Sequence, residues 1–82
     1  MMAIMGMDAV QILMDCQEAF GIDIPDEAIN LPTIGEFSDY VARRMPDKEP
    51  TVVWEQVREI ASQTLITPID QIRRDSRWTD LL

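Results

Sequence analysis

Histidine is absent from this chain, and cysteine occurs once, as Cys16. The first absence removes the usual general base near neutral pH and the commonest metal ligand; the second excludes an internal disulfide and any cysteine zinc site. Catalytic triads, Cys-His dyads and metal sites built on imidazole or thiolate lack their usual residues, so the expected class is not an enzyme. No apolar run approaches the ~20 residues of a bilayer span. The start Met1-Met2-Ala3-Ile4-Met5-Gly6-Met7 also lacks the basic flank of a signal peptide. A cytoplasmic protein off the membrane is the default expectation.

One sign of charge is missing from half the chain. Residues 1–42 hold eight acids (Asp8, Asp15, Glu18, Asp23, Asp26, Glu27, Glu36, Asp39) and no Lys or Arg, whereas 43–82 hold seven of each sign. The whole net charge of −8 therefore sits in the first half. Such a surface repels phosphate backbones and anionic lipids, which disfavours nucleic acid and membrane as partners and favours a basic protein surface. The alternative is that the acids only keep a small domain in solution.

What remains is helical. With 82 residues, 46% hydrophobic and 27% charged, the chain has the balance of one small folded domain. Met7, Val10, Leu13, Met14 and Phe20 recur at helical spacing opposite Asp8, Gln11, Asp15 and Glu18, predicting a helix over 7–20 that Gly21 ends. The methionines of 1–7 read as a floppy start, with a lining for a flexible ligand as the alternative. An extended loop over 22–25 and one helical turn over 26–30 follow, stopped by Leu31-Pro32. Thr33 with Glu36 makes a capping box for a second helix over 33–45, carrying Ile34, Phe37, Tyr40, Val41 and Met45. After a linker over 46–50, Thr51 reads as the cap of a third helix, 51–65, striped by Val53, Val57, Ile60, Ala61 and Leu65 and closed by Thr67-Pro68. Ile69 and Ile72 lead through a loop to a last helical turn. The expected fold is all-α, a small antiparallel bundle with Val10, Leu13, Phe20, Ile34, Phe37, Val41, Val57, Ile60 and Leu65 at its core.

These segments resemble a known family. The stretch from Val10 through Asp15-Cys16-Gln17-Glu18-Ala19-Phe20 to Ile24-Pro25-Asp26-Glu27 is similar to the acidic second helix and following loop of acyl carrier proteins, and Thr33-Ile34-Gly35-Glu36-Phe37 to Val41 is similar to their last helix. Val53-Trp54-Glu55-Gln56-Val57-Arg58-Glu59-Ile60 and Ile72-Arg73-Arg74-Asp75-Ser76-Arg77-Trp78 resemble the family's first helix and long loop. The resemblance implies a four-helix bundle as one domain, 1–82. Residues 1–45 correspond to the second to fourth helices, 46–50 to a linker, and 51–82 to the first helix and loop. The order is that of a circular permutation, or of a cut across two tandem carrier domains.

The family attaches 4'-phosphopantetheine to a serine at the start of the acidic helix. Counting back from Phe20, Gly6 stands at that position and offers no hydroxyl; the first serine in the chain is Ser38. The resemblance thus implies a carrier-like binding module without that cofactor, presenting Asp8, Gln11, Asp15 and Glu18 to basic surfaces of carrier-dependent enzymes of fatty acid or polyketide biosynthesis. Its alternative is a genuine phosphopantetheine carrier, attached at Ser76 in Asp75-Ser76-Arg77 or completed by a neighbouring segment. A generic helical interaction domain is a further reading.

Other residues have quieter expected roles. Cys16 reads as a small packed side chain, and Ser76 as part of a capped turn when it is not an attachment point. Trp54 and Trp78 read as partly buried anchors. Arg43, Arg44, Arg73 and Arg74 read as solvated, the last two being available to the acidic helix. A monomer is expected, with a domain-swapped dimer as the competing state.

Overall fold

Good helix formers without a proline carry α1 from Met2 to Phe20. The computed structural model describes the backbone of residues 2–81 and the side chains of 9–78 and 80. The helix begins well before the expected residue 7, so residues 2–6 are helical rather than floppy, and Met1 lies outside the described residues. Gly6 lies inside it, where a glycine costs only about 1 kcal/mol relative to alanine and does not break the helix. Ala9, Ile12, Leu13, Cys16 and Phe20 face inward. Val10, expected in the core, is 40% exposed, and Met14 is also exposed. Small residues explain the rotation: with Ala9 and Cys16 in the seam, the stripe 9, 12, 13, 16, 20 completes a helical face on its own and turns positions 10 and 14 to solvent.

Gly21 ends α1 at φ +68°, a left-handed conformation that glycine adopts without strain, and its N–H donates to the Gln17 carbonyl at 2.8 Å. The Gln17 side chain in turn accepts from the Ile24 N–H at 2.8 Å, and Ile24 is buried. The expected turn forms as the 3-10 segment Asp26–Asn30, with Ala28 buried.

The second helix, α2, runs from Ile34 to Arg43 with Thr33 at its cap. The Glu36 N–H donates to Thr33 Oγ1 at 3.2 Å, and the Thr33 hydroxyl donates to Glu36 Oε2 at 3.2 Å. Ile34, Phe37 and Val41 are fully buried, while Tyr40 and Met45 pack at the margin.

A third helix, α3, spans Pro50–Leu65. Its start corrects the expected Thr51 cap: Pro50 occupies the first turn, where a missing N–H costs nothing, and Glu49 is the cap residue, without a side-chain bond. Val53, Trp54, Val57 and Ala61 are buried. Ile60 and Leu65, placed at the core by the sequence pattern, pack only against its edge, because the seam follows 53, 54, 57 and 61. Ile66 closes the helix at φ 53°, ψ 50°, its N–H on the Ser62 carbonyl, just before Thr67-Pro68.

The remaining chain straps the bundle. A 3-10 turn, Ile69–Gln71, leads to the fully buried Ile72, and α4 occupies Trp78–Leu81. The N–H groups of Ile34 and Gly35, at the start of α2, donate to the carbonyls of Ser76 (3.0 Å) and Arg74 (2.9 Å). Thr33 and Arg77 form an antiparallel bridge beside them. Trp78 meets Phe37 edge to face, centroids 5.6 Å apart at 77°. Since α3 packs against both α1 and α2, residues beyond 50 close onto those before 45. The protein is all-α, with no strand longer than that bridge among the described residues.

Candidate functional site

The sequence placed four polar residues on the outer face of α1. Gln11 and Glu18 are exposed there; Asp8 lies on the same helix, but its side chain is outside the described residues. Asp15 behaves differently. It is half-buried, with Oδ1 accepting from Gln11 Nε2 at 2.8 Å and Oδ2 from Thr64 Oγ1 of α3 at 3.0 Å. Both oxygens are engaged within the chain, so Asp15 ties α1 to α3, and Gln11 is partly committed to orienting it. Glu18 has no salt-bridge partner among the described residues.

Apolar groups missed as surface residues complete the face. Met14, Gln17, Glu18, Gly21, Ile22 and Asp23 line an open groove of about 510 Å³ at the end of α1. Exposed Met14 and half-buried Ile22 supply contact area, while Glu18 and Asp23 supply negative charge on either side. Ala9 and Cys16 complete the inward stripe, which leaves Val10 and Met14 free to face out, and side chains that small give a hydrophobic pattern only a weak signal.

Other singled-out residues have structural partners. Ser76 Oγ accepts from the Arg73 N–H at 3.0 Å, and the Ser76 N–H donates back to the Arg73 carbonyl at 3.0 Å, closing a tight turn. Arg74 keeps its side chain about half exposed and pairs with α2 rather than with α1. One Nη donates to both carboxylate oxygens of Asp39 on α2 at 2.7 Å, and the guanidinium lies 5.4 Å from the Trp54 ring centroid. Arg44 sits 4.9 Å over the Tyr40 ring and donates to its hydroxyl at 2.8 Å. Trp54 and Trp78 are buried more fully than expected, and Trp78 Nε1 and Ser38 Oγ lack hydrogen-bond partners among the described residues.

Cys16 is wholly inside, with burial and then the nearby Asp15 charge pushing its thiol from 9.0 up to about 12. A thiol held so far from ionisation is a packing group and a poor nucleophile. No group of three potential metal ligands occurs among the described residues, and no helix there is long and apolar enough to cross a membrane.

The exposed groups of the α1 face are carboxylates and a thioether, which accept hydrogen bonds, attract cations and cover apolar surface. Residues 7–41 match the family model described as "Phosphopantetheine attachment site", a stretch that contains this face and begins one residue after Gly6. Neither a curated protein nor a solved structure gives a significant match.

Proposed function

With residues 7–41 matching the model of the phosphopantetheine-attachment family of carrier domains, we propose that the chain is a carrier-like docking module that presents α1 to basic surfaces of biosynthetic enzymes without bearing the prosthetic arm at the usual place. Domains of this family hold cargo for other proteins' active sites and do not themselves catalyse, and 4'-phosphopantetheine is the group they normally carry. The residue expected at the attachment position, Gly6, which directly precedes the matched stretch, does not fit that group. A phosphodiester needs a side-chain hydroxyl, and residue 6, inside α1, is glycine.

The observation that carries the reading is the pairing of exposed Met14 with unpaired Glu18 beside Ile22 and Asp23, inside the matched stretch. A basic surface with an apolar centre complements it in both charge and contact. Asp15 serves this function indirectly, by holding α1 on α3. The partners belong, in this reading, to fatty acid or polyketide biosynthesis.

The architecture proposed alongside is a permuted four-helix bundle. Its support is that α3, at the far end of the sequence, packs between α1 and α2, while the carbonyls of Arg74 and Ser76 accept from the first turn of α2. A cut across tandem carriers would place the same segments in the same order, and the packing argument holds for both.

A titration tests the docking role. Isotope-labelled chain is mixed with a broad-specificity phosphopantetheinyl transferase in the absence of coenzyme A. Amide shifts at Gln11, Met14 and Glu18, weakened severalfold by Glu18→Lys, are the expected result. Shifts confined to residues 73–77 would contradict it and favour attachment at Ser76.

A further inference from the structure

A second groove, of about 440 Å³, lies between the first half of α3 and the Ile69–Gln71 turn. Val52, Glu55, Gln56 and Glu59 line it at the spacing of one helical face, and Ile69 closes it from the turn. Its apolar part is open: Val52 is 47% exposed and Ile69 41%. Glu55 and Glu59 are exposed beside them.

The far wall is fixed rather than loose. Arg58 Nε donates to the carbonyls of Ile69 (3.0 Å) and Ile72 (2.7 Å), and Ile72 is fully buried. These bonds hold the turn at a set distance from α3, so the groove is formed before anything enters it. They also occupy the Arg58 guanidinium, the cation nearest in sequence to Glu55 and Glu59, with backbone carbonyls of the wall itself.

We propose that this groove is a docking site separate from the α1 face, and that its occupant is an amphipathic helix of a partner protein. That helix would seat an apolar side chain between Val52 and Ile69 and direct Lys or Arg toward Glu55 and Glu59. Charge complementarity selects the occupant: the lining holds the two carboxylates of Glu55 and Glu59 against the Lys48 ammonium at its edge, which donates to Gln56 Oε1 at 3.4 Å, so the balance is negative and disfavours acidic segments, and the apolar floor rewards a helix with one greasy face. A chain with two such faces is held by one partner through α3 while α1 stays open to another.

The test is a titration of the isotope-labelled chain with a synthetic amphipathic helical peptide of leucine and lysine. Amide shifts centred on Val52, Glu55, Glu59 and Ile69 are expected, and a matched leucine and glutamate peptide should produce none. The double variant Val52→Ser/Ile69→Ser, altered only at exposed positions, should weaken binding about tenfold or more. Glu55→Lys/Glu59→Lys should do the same by reversing charge, and Glu18→Lys on α1 should leave these shifts unchanged. The proposal is overturned if the shifts are confined to Met14, Glu18 and their neighbours on α1, if both double variants leave the shifts at the groove residues as in the parent, or if the groove residues shift with chain concentration alone, which would make the occupant a second copy.

Discussion

Gly35 marks the closest approach of two segments that lie far apart in the sequence. A Cβ at this position would collide with the Arg74 carbonyl oxygen and stand 2.9 Å from Arg74 Cβ. Its own N–H donates to that carbonyl, so a side chain would push away the acceptor that satisfies the start of α2. Gly35→Ala is expected to cost roughly 1–3 kcal/mol by overpacking, read as a lower denaturant midpoint at unchanged slope.

Cys16 makes a prediction of opposite character. Its thiol titrates near 9.0 when solvated and at about 12 in the fold, so between those values the unfolded chain has lost a proton that the folded chain keeps. Stability from this group is full below pH 9 and drains away as pH rises toward 12. Unfolding midpoints across that window should fall more steeply for the parent than for Cys16→Ala, and thiol-directed labelling of the native chain at neutral pH should be slow until denaturant is added.

At the scale of elements, the core divides into positions where size alone predicts burial and positions where the seam decides. Leu13→Ala removes a nearly fully buried side chain and should cost ~2–5 kcal/mol, whereas Ile60→Ala, at the margin, should cost distinctly less. Equal losses at the two sites in denaturant unfolding would show the seam to be misplaced. The three long helices, their order and several of their ends were legible, because the Thr33 cap, Gly21 and Pro68 punctuate the chain by local chemistry; the starts of α1 at Met2 and of α3 at Pro50 were not. The rotation of α1 was not. It depends on Ala9 and Cys16, whose small side chains carry little weight in a hydrophobic pattern but permit close helix approach. Of the candidate face, Glu18 and Gln11 were readable as outward, yet Asp15 was drawn into a bond with Thr64, 49 positions away, which no local pattern announces. The partner of Arg74 was hidden for the same reason, since Asp39 lies on α2 rather than on the acidic helix.

For the whole molecule, the connection between α2 and α3 decides association. Met45 and Lys48 N–H groups donate to the carbonyls of Ala42 and Met45 at 3.0 Å, a tight turn that lets α3 fold back within its own chain. Intramolecular docking through so short a linker has an effective concentration in the millimolar range. Sedimentation equilibrium at micromolar chain is expected to give a monomer, and a dimer persisting on dilution would indicate exchange of α3 between copies.

The proposed function rests on a carrier-like fold with no hydroxyl at residue 6. Nothing bears on it more directly than intact mass after incubation with coenzyme A and a broad-specificity phosphopantetheinyl transferase, beside an authentic carrier as positive control. The account predicts an unchanged mass, since Gly6 offers no hydroxyl and Ser76 Oγ is engaged in its own turn. A gain of one phosphopantetheine on the unaltered chain would contradict it, and mapping that adduct to Ser76 would make the protein a carrier in its own right.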